Sequence, residues 1–476
     1  MDRGLRNSEH LLTYGHGFCF ARYALSRWSG GGYATVKANS CILVIGDTDV
    51  GRRVCSALSA RGIRTLHLGD PTDIELSSAL TPEVEGVAVM LHDDIRALRY
   101  SLIAEHLRPG IRLFVGMFDR TVRQQLESTV SNCVVLSPAA ISVPTMVAAA
   151  IAPSVASIRR RDQTADRSWV SVSSDETSGI QPWKIPFRLR VRGIRGIALG
   201  QFRSYDAGST TLLAGAFGLV LIIAIDTLVG LTHASGLRAL YDATRTVATI
   251  SSPDLTDSAA VLIWATIAAI IVMGFTAMFA AGIVNHLLSG RHVTLVGRRV
   301  VPRSGHVVVA GMGQVGLRLA QELRSIGVAV VGIERDPQAP GLSIARSSGV
   351  PVIIGNASSQ DALKRAGASR AIAIVAAGSE ERENIAVAVT ALAGRSGARV
   401  VLRAGSDDAI TETTSLFQIG SVIDVNGLTA VFVAESMIGS KPYVVFPAAT
   451  SFESIDTQTG EVSDLGSAPA RCDCVL

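Results

Sequence analysis

Two long stretches of the chain are uncharged, and the sequence on either side of them alternates short apolar runs with amphipathic ones. From Ala207 to Ile225 no charged residue occurs, and after Asp226 the apolar character resumes through Leu231. This predicts a helix near 210–231, matching the ~20 residues a span requires. From Ser258 to Gly290 there is no Asp, Glu, Lys or Arg. At ~1.5 Å per residue that run exceeds a ~30 Å hydrocarbon core, so the second helix should tilt or project beyond it. Asp226 inside the first span is costly unless it faces protein or water; it reads either as a functional group or as a residue near the outer helix end.

The flanking segments repeat one another. Cys41 to Pro71 and His306 to Pro337 each read as strand, glycine turn, amphipathic helix and strand. Downstream, VEGVAVML pairs with SRAIAIVAA, IRLFVGMFD with ARVVLRAGS, and VVLSPAAISVPTMVAAAI with SVIDVNGLTAVFVAESMI. Short apolar strands alternating with helices predict an α/β fold: two Rossmann-like, doubly wound parallel-sheet domains flanking a two-helix transmembrane hairpin. The expected organisation is an N-terminal extension (1–38), a degenerate first domain (39–157), a polar then basic linker (158–208), the hairpin with its outer loop (209–290), a basic linker (291–303), a second domain (304–440) and a C-terminal tail (441–476). The polar segment 158–185 reads as a flexible linker and the tail as loosely ordered.

The second domain carries candidate chemistry. The strand His306–Ala310 runs into Gly311-Met312-Gly313-Gln314-Val315-Gly316, which opens a helix, the context that a G-x-G-x-x-G dinucleotide motif demands. Gly311 permits the tight turn, Gly313 the approach of backbone to a pyrophosphate, and Gly316 the packing of helix on strand. The helix N-terminus adds oriented N–H groups and a positive dipole. Glu334, at the end of the next strand, can accept hydrogen bonds from a ribose. Its charge favours NAD(H) over NADP(H), a choice that the neighbouring Arg335 blurs. In the first domain the corresponding run is Gly46-Asp47-Thr48-Asp49-Val50-Gly51. Thr48 replaces the middle glycine and two carboxylates crowd the phosphate position, so this domain is expected to have lost its nucleotide and to serve packing or dimerisation.

Charge sets orientation rather than a nucleic-acid surface. The net charge is +4, apolar residues make up 48% and charged residues 18%, and mean hydropathy is +0.36, a balance that fits a few spans plus soluble domains. The basic residues gather beside the spans, at Lys184, Arg188, Arg190, Arg192, Arg195 and Arg203, and at Arg291, Arg298, Arg299 and Arg303. The positive-inside rule then places both termini in the cytoplasm of a multi-pass protein of the inner (plasma) membrane. No secretory signal peptide is expected in residues 1–38. The six cysteines show neither a disulfide grid nor a zinc-ligand spacing, so no metal is expected. No catalytic constellation stands out: Tyr33 and Lys37 precede both Rossmann units, and His286 and His292 read as boundary residues, so the chain is expected not to be an enzyme.

The combination resembles RCK-domain proteins, the regulators of potassium conductance, and especially bacterial NAD-binding proteins of the Kef/Trk kind. The resemblance is carried by HVVVAGMGQVGLRLAQELRSIGVAVVGIERD, PVIIGNASSQDALKRAGASRAIAIVAA and the SEERENIAVAVTA helix. It implies nucleotide binding at Gly311, Met312, Gly313, Gln314, Val315, Gly316, Glu334 and Arg335. Where the family shows Gly-Asp-Ala after its third strand, this sequence has Gly355-Asn356-Ala357, which weakens that polar contact. The hairpin also looks like a channel module. A stretch from Ala239 to Thr249 is placed as a pore helix, and Thr249-Ile250-Ser251-Ser252-Pro253-Asp254 sits where potassium channels carry Thr-Val-Gly-Tyr-Gly-Asp. Ser251 and Pro253 depart from the backbone freedom of those glycines, so ordinary potassium selectivity is not expected. The resemblance implies a homo-oligomer, a tetramer, that moves cations under NAD(H) control; the alternative is a non-conducting, membrane-anchored regulatory subunit of a separate cation transporter. Gly274 and Gly282 serve either as hinges or as packing positions in the second span.

Overall fold

The computed structural model describes residues 41–160, 169–172, 180–201, 207–231, 235–248, 259–288, 293, 299–394, 397–405, 420–440, 442–448, 451–456, 461–467 and 472. In the first domain the strands are β1 (Cys41–Ile45), β2 (Arg64–Leu68), β3 (Val84–Met90), β4 (Arg112–Gly116) and β5 (Cys133–Leu136). They form one sheet in the order β2-β1-β3-β4-β5 with every pair parallel. Helices cover both faces, and the central strands are accordingly buried almost without interruption. Four of these helices start where a side chain accepts an orphan N–H: α1 (Asp49–Ala60) at Thr48, α2 (Asp73–Ala79) at Thr72, α3 (Asp94–Leu107) at Asp93 and α4 (Arg120–Thr129) at Asp119. The fifth, α5 (Pro138–Ile151), begins with proline.

The segment expected to be a flexible linker is ordered instead. Strands β6 (Ser157–Arg160), β7 (Trp169–Val172) and β8 (Ile180–Trp183) pair antiparallel. Its strands are four residues each, too short for an alternating pattern to stand out among the polar residues around them. After it, α6 (Phe187–Gly200) turns Gly193, Gly196 and Gly200 toward the stretch that enters the second domain. The approach is close: a Cβ at Gly196 would lie 1.9 Å from the Ser304 carbonyl oxygen, and the Arg303 N–H donates to the Gly196 carbonyl at 2.8 Å.

The two uncharged stretches form α7 (Ala207–Gly230) and α9 (Ala259–Leu288), with α8 (Gly236–Val247) between them. Two segments are long and apolar enough to cross a membrane, Gly208–Gly230 and Thr266–Asn285. Helices α7 and α9 pack through small residues; Gly215 lies against Phe279 backbone, and Gly282 against Leu212. Gly282 is therefore a packing position, whereas a Cβ at Gly274 would meet nothing within 4 Å. Helix α8 occupies the stretch placed as a pore helix. Asp226 is half-buried in α7.

The second domain has β9 (His306–Ala310), α10 (Gln314–Ile326), β10 (Ala329–Glu334), α11 (Gly341–Ser347), β11 (Val352–Ile354), α12 (Gln360–Arg365), β12 (Ala373–Ala376), α13 (Glu381–Ala393), β13 (Arg399–Ala404), β14 (Ser421–Asp424) and α14 (Val425–Ile438). Its sheet runs β11-β10-β9-β12-β13-β14, all parallel. The first domain lacks a counterpart of β11, because its connection from β2 to β3 holds only α2. The C-terminal segment is not a loose tail: β15 (Pro442–Pro447), β16 (Phe452–Asp456) and β17 (Val462–Asp464) form an antiparallel sheet. Val444, Phe446 and Ile455 of this sheet bury against Val170 and Val172 of β7. The repeat thus includes the small sheet after each Rossmann unit.

The two units exchange their last helices. Residues of α5, among them Met146, Val147 and Ile151, pack in one cluster with Val307, Leu319 and Leu323 of the second domain. Reciprocally, Ala430, Val433, Ala434 and Met437 of α14 lie on Ile42, Val44, Val54 and Leu58 of the first. Two ion pairs fasten that second contact: Arg53 with Asp424 at 2.5 Å, both buried, and Arg61 with Glu435 at 2.6 Å.

Candidate functional site

The site lies at the carboxyl ends of β9 and β10, where strand order reverses between β9 and β12. Gly311 sits at φ +85°, a conformation costly for any residue with a Cβ, and its N–H donates to the Ile333 carbonyl at 2.9 Å. A Cβ there would come within 2.9 Å of Gly378 backbone. A Cβ at Gly316 would lie 1.9 Å from the Gly311 carbonyl oxygen, so the third glycine lets α10 approach the turn. Gly313 differs from both. Its φ is −66°, and a Cβ would meet nothing within 4 Å.

Fold geometry therefore gives no reason for glycine at 313. Moreover, Gly313 is the N-cap of α10 and supplies no side-chain hydrogen bond, at a position where Ser, Thr, Asp or Asn is favoured, and no acid stands in the first turn. An exposed helix N-terminus without a cap or a nearby negative charge fits an anionic group approaching close to backbone. Gln314 is exposed beside Gly313, whereas Met312 and Val315 are buried in the core. Met312 and Val315 can thus face a ligand only through their backbone.

Glu334 closes the other side. Its carboxylate accepts from the Met312 N–H at 2.7 Å, the Arg335 N–H at 2.8 Å and the Asp336 N–H at 3.1 Å. Arg335 is turned to an ion pair with Glu383 in the first turn of α13. Asn356 is exposed, and its carbonyl oxygen accepts from the Ser358 N–H at 2.9 Å and hydroxyl at 2.8 Å, which holds the turn after β11. Gly378 and Asn384 were not singled out from the sequence, yet they form the opposite wall: the buried Asn384 amide accepts from the Gly378 N–H at 2.9 Å and donates to the Gly378 and Arg403 carbonyls, each at 3.0 Å. A glycine followed six residues later by a helical asparagine is too common a pattern to mark a site.

The first domain keeps the structural glycines and lacks the rest. Gly46 has φ +121°, and a Cβ at Gly51 would lie 2.5 Å from the Gly46 carbonyl oxygen, reproducing the turn and the close packing. Between them Thr48 caps α1: its hydroxyl accepts from the Gly51 N–H at 3.1 Å and donates to the Met90 carbonyl at 2.8 Å. Asp49 occupies the first turn, and Asp47, paired with Arg52 at 2.7 Å, stands beside it. The Gly46 N–H donates to Leu68 as that of Gly311 does to Ile333, so Gly69 stands in the place of Glu334.

Other sequence-derived candidates fall elsewhere. Thr249, Ile250, Ser251, Ser252, Pro253 and Asp254 lie outside the described residues, as do Tyr33, Lys37 and His292.

Comparison with known proteins agrees with this geometry: residues 307–423 match the TrkA-N domain family. The chain carries a TrkA-N domain. The domain covers β9 to β14 and holds every residue of the glycine loop, Glu334, Asn356 and Asn384. Among curated proteins, "Potassium channel protein 1" of Methanocaldococcus jannaschii is 24% identical over 187 residues, which is 37% of this chain and 56% of the relative. The match spans little more than half of that relative's length. The resemblance to RCK-domain proteins read from the sequence is borne out by these matches. Among solved structures, the GsuK channel aligns over 94% of this chain and 78% of its own at 12% identity, with a TM-score of 0.47. The TrkA-N domain of the inner membrane protein ybaL from Escherichia coli aligns over 28% of this chain and 93% of its own at 22% identity, with a TM-score of 0.24.

Proposed function

We propose that the chain is an NAD(H)-regulated, cation-channel-like protein of the plasma membrane whose TrkA-N domain is the nucleotide sensor. The observation that carries this reading is the bare N-terminus of α10 at Gly313, faced by Glu334, in one chain with two apolar helices of spanning length. The N–H groups of the first turn of α10 would hold the pyrophosphate, and Glu334 the ribose hydroxyls. Engagement of Arg335 by Glu383 leaves the carboxylate to set the preference, against a 2′-phosphate and for NAD(H). The bound cofactor supplies binding free energy that shifts an open–closed equilibrium, by its difference in affinity for the two states, rather than hydride chemistry.

The route to the membrane is short. Helix α6 leads into α7, and its glycine face rests on Val301 to Gly305, the stretch that leads into β9. A movement of β9 relative to α10 therefore reaches the first span through α6 as well as the second through the chain itself. The 24% identity to a potassium channel protein supports cations as the transported species. The basic flanks place both domains on the cytoplasmic side, and assembly as a homotetramer would bring four hairpins around one axis.

The test is flux of a monovalent cation into liposomes containing the purified chain, with and without NAD(H), beside a Gly313→Asp variant. Space around Gly313 accommodates that side chain without repacking, so the variant places a negative charge at the pyrophosphate position in an intact fold. Nucleotide-dependent flux in the unmodified chain alone supports the gated pore. NAD binding by calorimetry without any flux would replace it with a regulatory subunit of a separate cation transporter.

A further inference from the structure

Away from the nucleotide site, the first domain gathers three potential metal ligands from segments distant in sequence. Cys55 lies on α1 and is fully buried, His67 on β2 is 1% exposed, and Cys472 comes from the C-terminal segment and packs half-buried against the same cluster. Their sulfur and ring nitrogen atoms all lie within 4.8 Å of one another. The sequence shows no zinc-ligand spacing because His67 and Cys472 are 405 positions apart.

The histidine is oriented as a ligand. Its Nε2 is 3.0 Å from the Gly46 carbonyl oxygen, which can only accept, so Nε2 carries the hydrogen and Nδ1 presents its lone pair. Metal-bound histidines commonly donate their second ring N–H to a backbone carbonyl in this way. Nδ1 points at the Cys472 sulfur, 3.5 Å away. With zinc bonds of about 2.3 Å to sulfur and about 2.0–2.1 Å to nitrogen, a tetrahedral ion sets those two atoms about 3.6 Å apart. No acidic oxygen belongs to the cluster, so its donor set of two sulfurs and one imidazole is suited to a thiophilic ion rather than to calcium or magnesium.

We propose that Cys55, His67 and Cys472 form a binding site for a thiophilic divalent cation of the zinc class, one per chain, with water at the fourth position. As two metal–sulfur bonds form, two thiol protons leave to solvent, and the two thiolates neutralise the ion inside an apolar surround. The ion ties the C-terminal segment to the degenerate Gly46 loop, so the first domain, which has lost its nucleotide determinants, responds to a metal instead. This site is independent of the nucleotide reading.

The test uses the full chain in detergent, without a histidine tag, reduced, stripped with chelator and titrated with Co²⁺ and then Zn²⁺. One equivalent of Co²⁺ should produce thiolate-to-cobalt charge-transfer absorption together with the intense visible bands of a tetrahedral ion, and Zn²⁺ should abolish both. Cys472→Ser should lose the charge-transfer signal while keeping the circular dichroism of the unmodified chain; Cys133→Ser, a buried cysteine outside the cluster, should retain both signals. Absence of the signal in the unmodified chain would overturn the proposal, as would its persistence in Cys472→Ser. A Cys55–Cys472 disulfide found by mass spectrometry in the reduced protein would also overturn it.

Discussion

Replacing Asp424 by Ala should loosen the two domains from one another, because this carboxylate does two things at once. Its Oδ1 accepts the Gly427 N–H at 2.8 Å and so caps α14, while its Oδ2 meets the fully buried Arg53 guanidinium at 2.5 Å. Loss of the cap costs about 1 kcal/mol. The guanidinium would keep its bond to the Gly405 carbonyl, 3.0 Å from its other nitrogen, but no longer face this carboxylate. That costs about 3–5 kcal/mol more, since a charge buried without its counter-ion keeps its desolvation penalty. At about 2–4 °C per kcal/mol for units of this size, the melting temperature of the detergent-solubilised chain should fall by roughly 6–20 °C. Asp424→Asn retains an N-cap oxygen and isolates the charge. Adding Arg53→Met to it should recover most of the loss, because an apolar side chain in place of a buried ion is often neutral. Scanning fluorimetry of the unmodified chain, the two single variants and the double variant decides the matter. A shift under about 2 °C for Asp424→Ala, or no recovery when Arg53→Met is combined with Asp424→Asn, would refute the assignment of this pair as the fastening between the domains.

Glu334→Ala should weaken NAD(H) binding by about 10- to 150-fold, the equivalent of about 1.5–3 kcal/mol for hydrogen bonds to a charged group, read by titration calorimetry. Thr48→Gly should create no second nucleotide site, since Gly69 and Asp49 remain, and stoichiometry should stay at one per chain. Gly196→Val would drive a side chain into the Ser304 carbonyl, 1.9 Å from the Cβ position; it should abolish the nucleotide response of flux while NAD(H) binding persists. Glu322 on α10 is buried, which pushes its carboxyl above the ordinary value despite nearby Arg318, Arg160 and Arg159. A carboxyl raised in the fold contributes stability that is fully present below its unfolded value of about 4.3 and is lost as pH rises through the folded value. Glu322→Gln should therefore raise the melting temperature at neutral pH and flatten that part of the pH profile.

The parallel sheets and the glycine loops were legible because their signals are local: a strand, a turn and a helix within about twenty residues of one another. Thr48 and Asp49 already marked the first loop as degenerate, and the fold explains why, since that threonine satisfies the helix end that a phosphate would otherwise meet. What escaped were contacts between distant segments. Arg53 and Asp424 are ordinary surface residue types, and no pattern announces that α14 lies on α1. Likewise Cys472 stands beside Cys474 in sequence and shows nothing of His67. The small sheets escaped for a different reason, being made of strands short enough to be hidden by the polar residues between them.

The exchange of α5 and α14 also dictates an order of synthesis. When α5 leaves the ribosome, the surface it is shaped for does not yet exist, and the apolar face of α1 and β1 has no cover until α14 has been made. Both spanning helices lie between these two events. At the ~5–20 residues per second of translation, the first domain waits tens of seconds with Ile42, Val44, Val54 and Leu58 uncovered. Its folding becomes a check on the whole chain: a hairpin that fails to insert, or a second domain that fails to close, leaves the oldest part of the protein exposed to chaperones and proteases.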